Sequence, residues 1–295
     1  MRVTSLPDVE PSDGGRRVAV GTFDGVHVGH REVIGGSDSV LTFDPHPVSV
    51  VAPQHTPKLL TTLPRKAELI ASLGVQELIV IPFDEGFARR SAQEFVDDVL
   101  VGTLGAMHVS IGENFRFGHK AQGDARLLAA DGRFAAVVHP ILEMDGEIVS
   151  SSRIRGLVLA GDVAEADRLL GAPFQLAGEV VHGDERGREL GYPTANLVPD
   201  EALACPGHGV YACLVDGHAA AVSIGVRPTF ETGRGELIEA YVIDFDGDLY
   251  GATLRLDFLA RLRGERRFET ADALVDQMRH DVARTREIVT ARSGR

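Results

Sequence analysis

The spacing of apolar segments changes character at Pro173, and that change constrains the fold more than any other feature of the chain. Before it, strand-like runs alternate with helical ones. Strand candidates fall at 17–21, 39–43, 77–83, 108–112 and 135–141. Helical stretches lie at about 64–72 and 91–104, the second opened by Ser91 and Glu94 in capping-box spacing. Such alternation predicts a parallel, doubly wound sheet, with ligands beyond the carboxyl ends of its strands. Two short helices follow at about 152–159 and 162–170, the second closed by Gly171. After Pro173, strands are expected at 175–182, 194–198, 209–215, 219–225, 236–245 and 252–259, with no helix between them. Asp216-Gly217 and Asp246-Gly247 are hairpin dipeptides, so these six strands predict a small antiparallel barrel. An amphipathic helix over 272–289, with Thr270 as N-cap, ends the chain. The expected class is α/β plus β, divided into domains 1–172 and 173–295.

Composition narrows what those domains can do. The net charge of −13 argues against extended nucleic-acid or anionic-membrane surfaces, so a polyanionic ligand must be held locally. Lysine occurs only at Lys58, Lys66 and Lys120, never followed by Ser or Thr, which excludes a G-K-[ST] phosphate loop. Cys205 and Cys213 read as reduced core thiols in a cytoplasmic protein. There is no apolar run of transmembrane length, and the polar start, Met1 to Pro11, does not read as a signal peptide. Nothing in the chain speaks to oligomeric state.

The first half carries polar clusters where its strands should end. Gly21-Thr-Phe23-Asp-Gly-Val-His27-Val-Gly29-His30 joins the first strand to a helix start, where amides and the helix dipole favour phosphate. Gly29 allows close backbone approach, and the imidazoles could stabilise charge on a leaving pyrophosphate. Two surface histidines or a metal pair are the plainer readings. Asp44-Pro45-His46-Pro47 is a rigid turn. Gly112-Glu-Asn114-Phe115-Arg116-Phe117-Gly118 offers a carboxamide, a cation and two aromatic rings. Ser150-Ser151-Ser152-Arg153-Ile-Arg155 is either a second phosphate-binding helix start or an ordinary serine cap.

The second half opens with a glycine-spaced loop, including Gly183, Gly187 and Gly191, that runs into Tyr192-Pro193-Thr194-Ala195-Asn196. Thr194 and Asn196 fall on one face of a strand, a pair of neutral hard oxygens suited to Mg²⁺ beside ATP phosphates, or simply a solvated face. Glu239 interrupts Leu237-Ile-Glu-Ala-Tyr-Val-Ile243, a strand apolar on both faces. A carboxylate there is either paired structurally or a partly desolvated general base.

These motifs, G-T-F-D-G-V-H-x-G-H, T-F-D-P-H-P, G-E-N-F-R-F-G and S-S-x-x-I-R, then P-T-A-N, S-I-G-V-R-P-T-F and E-A-Y-V-I-D-F, resemble in order those of prokaryotic bifunctional riboflavin kinase/FAD synthetases. The resemblance covers about 16–292. It implies a Rossmann-like nucleotidyltransferase domain in which His27 and His30 polarise the ATP phosphates. Asn114 and Arg155 would contact ATP, with Gly21, Phe23, Gly29, Ser151 and Ser152 completing the nucleotide loop. Phe117 would line the flavin site. In the barrel it implies Thr194 and Asn196 as Mg²⁺-ATP ligands, Gly183 to Gly191 as a flap, and Glu239 as the base for the riboflavin hydroxyl. The substrates and products would be riboflavin, FMN, FAD and ATP. The chain departs from the family in the nine residues between His30 and Val40, which leave room for a helix of only about two turns ending near Gly35-Gly36. That clipped helix keeps open a kinase whose adenylylation is weakened; a non-catalytic flavin-binding regulator is the reading from another class.

Overall fold

The computed structural model describes residues 1–12, 14–181, 192–226 and 236–293. By its internal contacts the chain divides into two compact units, Met1–Pro57 with Thr61–Ser151, and Lys58–Leu60 with Ser152–Arg295.

The first unit is built on strands β1 (Arg2–Ser5), β2 (Arg16–Val20), β3 (Ser39–Asp44), β4 (Glu77–Pro82), β5 (Ala106–Gly112) and β6 (Ala135–His139). All pair in parallel, in the order β1-β4-β3-β2-β5-β6. The chain moves outward from β2 through β3 to β4, then returns to the other side of β2 with β5. The carboxyl ends of β2 and β5 therefore flank the topological switch point, where doubly wound sheets bind ligands. Both faces are covered, which is why these strands read as continuous apolar runs. Val18, Val20, Leu41, Phe43, Ile79 and Ile81 pack on one face, and Ala19, Val40 and Leu78 pack on the other with Ile34 and Ile70.

Helix α1 (Val28–Ile34) is two turns long and ends at Gly35, as the short connection predicts. Helix α2 (Leu63–Ala71) is capped by Thr62. Short helices at Pro47–Val51, Glu85–Ala88 and Ala125–Ala129 were not expected, and two larger features also depart from expectation. The edge strand β1 was not foreseen, because Arg-Val-Thr-Ser is short and largely exposed. The helix expected over 91–104 begins with a full Ser91/Glu94 capping box, but from Phe95 to Thr103 it winds as a π-helix, with the Leu104 N–H donating to the Val99 carbonyl.

The second unit holds the closed antiparallel barrel, in the order β7 (Phe174–Val181), β8 (Ala195–Pro199), β11 (Glu236–Val242), β10 (His218–Val226), β9 (Gly209–Val215), β12 (Thr253–Arg263). Helices α3 (Ser151–Ala160) and α4 (Val163–Leu170) precede it, and α4 packs on β7 and β12. The strand expected over 236–245 stops at Val242, because Asp244 turns the chain with a φ of +59°. Helix α5 (Ala271–Ser293) lies on β9, β10 and β12. Its docking is pinned by Asp281, only 6% exposed, which accepts from Arg263 Nε and Nη2 and from Gln277 Nε2.

Candidate active sites

In the first unit the loop after β2 delivers His27 and His30 to the switch point. Gly25 supplies positive φ freely, but Phe23 (+49°) and Val26 (+43°) adopt it against their side chains' preference. The loop is held in that shape by bonds from outside it. Thr61 N–H donates to Asp24 Oδ1 (3.2 Å), Gly25 N–H to Thr61 Oγ1 (3.2 Å), and Ser151 Oγ to the Asp24 carbonyl (2.9 Å). A Cβ on Gly21 would stand 2.9 Å from the Phe23 ring, so any larger residue there would displace that ring.

His27 is the N-cap of α1, and its Nδ1 accepts the His30 N–H at 3.2 Å. That bond places the proton of a neutral His27 on Nε2. It also occupies one first-turn amide, so the helix start offers a phosphate fewer donors than the bare sequence implies. The two rings stack with centroids 3.5 Å apart, and Phe23 meets His30 edge-on at 5.3 Å. Gly29 permits this, since a Cβ there would lie 3.3 Å from the His27 ring. Burial lowers the His27 pKa from 6.5 to about 4. His30 is held well below the usual range by burial, then by repulsion from the His27 imidazole and the Lys66 ammonium, and its Nδ1 is sealed off with no hydrogen-bond partner among the described residues. Burial therefore favours the neutral form of both imidazoles at pH 7.

Asn114 is exposed just beyond β5, on the other flank of the switch point. Phe117 is 6% exposed and packs with Phe95 (5.2 Å) and Phe115 (5.6 Å), so most of its ring belongs to the core. Ser151 reaches the His27 loop through Asp24 as described; Ser152 is exposed. Arg155 lies in the second unit, where its Nε donates to the Lys58 carbonyl.

In the barrel, register does what spacing alone could not. Asn196 on β8 stands directly opposite Glu239 on β11, and Glu239 directly opposite Ser223 on β10. Directly opposed residues share a face, so one row carries a carboxamide, a carboxylate and a hydroxyl. Along β11 the alternate residues Ile238, Ala240 and Val242 are buried, which leaves Glu239 on the face away from the barrel core, half-buried. Asn196 is 7% exposed, and Thr194, just before the strand, is half-buried. Two residues along from Glu239, Tyr241 meets Tyr192 edge-on at 5.0 Å, and burial raises its phenol pKa. Among the described residues no group of three His, Cys, Asp or Glu side chains could hold a metal ion, so any cation here would depend on neutral oxygens and the ligand's own. Gly183 and Gly191, with the loop between them, lie outside the described residues.

Sequence reasoning passed over Lys66, Asp24, Thr42 and Ser223. For Lys66 a signal existed: it lies four residues before Ile70 on the buried face of α2, a place where lysine seldom stands. Ser223 carried none, because its place depends on pairing with a distant strand.

The chain matches two family models, "FAD synthetase" over residues 9–153 and "Riboflavin kinase" over residues 170–289. It is 38% identical to a bifunctional riboflavin kinase/FMN adenylyltransferase from Listeria monocytogenes, covering 94% of this chain and 93% of that one. To the protein of the same description from Escherichia coli (strain K12) it is 35% identical, over 92% and 91% of the two chains. Among solved structures, one described as a macrolide-efflux protein from Streptococcus pneumoniae superposes with a TM-score of 0.88 at 32% identity, over 96% of this chain and 98% of that one. With both domains matched and relatives aligned almost end to end, the chain belongs to the bifunctional riboflavin kinase/FMN adenylyltransferase family.

Proposed function

We propose that this chain phosphorylates riboflavin to FMN with ATP in its barrel unit and adenylylates FMN to FAD with a second ATP in its sheet unit, releasing pyrophosphate. The observation that carries the reading is the Asn196–Glu239–Ser223 row, which sets a half-buried carboxylate beside neutral donors, as transfer of a phosphoryl group to an alcohol requires. Glu239 takes the proton of the riboflavin 5′-hydroxyl as its oxygen attacks the γ-phosphorus. Thr194 and Asn196 would hold Mg²⁺, and their uncharged oxygens fit a cation that brings phosphate ligands with it. Bound there, the ion would neutralise charge on the transferred phosphate.

The adenylyl step needs no side-chain nucleophile, since the FMN phosphate itself attacks the α-phosphorus of ATP. Positioning and charge stabilisation then carry the rate. His27 and His30 donate to the departing pyrophosphate, with Gly21, Phe23, Gly29 and Ser151 shaping the loop that receives it. Asn114 is assigned to ATP, and Phe117 to the flavin side through the edge of its ring. By sequence the adenylyl step is assigned to residues 1–172 and the kinase step to 173–295. The acidic chain and the absence, among the described residues, of any helix long and apolar enough to cross a membrane support small-molecule partners and a cytoplasmic setting. Incubating the pure protein with riboflavin, Mg²⁺ and ATP and separating the flavins tests the reading. FAD is the expected product; FMN alone would leave only the kinase, and no product would leave a binder.

A further inference from the structure

Beneath the imidazole pair lies a cation that no motif explains. Lys66 points inward from α2 at 8% exposure, and Thr42, against which it rests, is fully buried. Its Nζ makes one hydrogen bond among the described residues, a long one of 3.5 Å to Thr42 Oγ1. Thr42 Oγ1 in turn donates to the Thr22 carbonyl at 3.1 Å, inside the loop that carries His27. A buried ammonium with three donors and one stretched partner is costly unless charge elsewhere repays it. The charged and titratable groups around it are Asp24 of the first loop, Asp44 at the end of β3, and His30. Asp24 is 2% exposed and is held by Thr61, one residue before the N-cap of the same helix. The lysine thus sits where the loop after β2, the end of β3 and the start of α2 meet.

We propose that Lys66 is a positioning residue for nucleotidyl transfer: a fixed buried cation beside Asp24 and Asp44 that joins the two polar loops beyond β2 and β3 through Thr42. This rests on the adenylyltransferase reading of the sheet unit. In the free protein burial first keeps the His30 imidazole neutral, and the ammonium's charge opposes its protonation further. When a polyphosphate arrives, the same charge adds to the field that receives it, with no side chain having to move in from solvent.

The test uses the full chain with Lys66→Met, which keeps the stem and removes the charge, Lys66→Arg, which restores charge, and Thr42→Val, which removes the hydroxyl. Imidazole NMR of the free protein reads His30 directly. Lys66→Met is expected to raise its titration midpoint, and Lys66→Arg to return it towards wild type. FMN-to-FAD conversion is expected to fall at least tenfold in kcat for Lys66→Met, to recover in part for Lys66→Arg, and to fall less for Thr42→Val. Riboflavin phosphorylation by the same samples, in the other unit, is expected within twofold of wild type, and amide-exchange protection in β2 and β3 checks that the sheet unit of each variant is folded. A folded Lys66→Met protein with an unmoved His30 midpoint, or with undiminished adenylylation, overturns the proposal. A wild-type protein that makes no FAD refutes the functional reading instead, while the His30 titration still decides whether Lys66 governs that imidazole.

Discussion

Keeping His27 neutral has a consequence for stability that can be worked from its environment. The residue is 5% exposed, and burial takes its pKa from 6.5 to about 4. A histidine with a folded pKa below its unfolded one takes up a proton on unfolding, so acid favours the unfolded chain. Its contribution is complete above pH 6.5 and is lost as pH falls from there towards 4. Over that window the slope approaches about 1.4 kcal/mol per pH unit, and by pH 5 the accumulated loss is about 2 kcal/mol. The variant to make is His27→Asn. Its side-chain oxygen can still accept the His30 N–H as an N-cap, but nothing at position 27 titrates. Urea unfolding at several values between pH 7.5 and 5, with pulse-labelled amide exchange in β2 and β3, reads the sheet unit alone. Wild type should lose stability faster than the variant as pH falls, with the curves separating by about 2 kcal/mol at pH 5. Some acid sensitivity will persist in the variant, because His30 is depressed in the same direction. Parallel curves across the range would refute the reasoning, since they would mean that His27 is not held neutral by its burial.

Three further outcomes are expected. Glu239→Gln should lower FMN formation by about 10²-fold or more while FMN-to-FAD conversion stays within a factor of about two; an intact kinase would remove Glu239 as the base. His30→Ala should lower adenylylation by about 10²-fold and spare riboflavin phosphorylation in the same preparation, and equal loss of both activities would count against separate sites. Asp281→Ala should destabilise the barrel unit by about 3 kcal/mol in urea unfolding, because it leaves Arg263 largely buried without its carboxylate. A change below about 1 kcal/mol would mean that the pair contributes no more than a surface bridge.

What could be read from the sequence followed from how strongly each feature depends on its neighbours along the chain. The strands around Val18–Val20, Leu41–Phe43 and Ile79–Ile81 are buried on both faces, so their apolar runs were plain. The two-turn α1 followed from counting residues to Val40. The π-wound stretch from Phe95 was not legible, because its apolar residues satisfy an α-helical pattern equally well. Glu239 stood out as a carboxylate interrupting an apolar strand, whereas its alignment with Asn196 and Ser223 depends on barrel register. The ring stacking of His27 on His30, and the lost helix-start amide that comes with it, required the local turn to be known in three dimensions.

The two candidate sites meet the same electrostatic problem by different means. A chain with a net charge of −13 repels polyphosphates at long range, so each site must create its attraction locally. In the sheet unit this is done by exclusion of water: neutral imidazoles, a sealed nitrogen and one buried ammonium gain strength because little solvent screens them. Such a site suits a reaction whose nucleophile and leaving group are both phosphates, since the substrates bring all the charge and the protein has only to receive it. In the barrel the nucleophile is an alcohol, so a proton must leave, and the carboxylate that accepts it must remain basic. The half-buried Glu239, on the outer face beside Asn196 and Ser223, is the carboxylate proposed for that task. The two reactions thus ask for different side chains, and only the transfer to an alcohol needs a base, so loss of the Glu239 carboxylate should cost the kinase step alone.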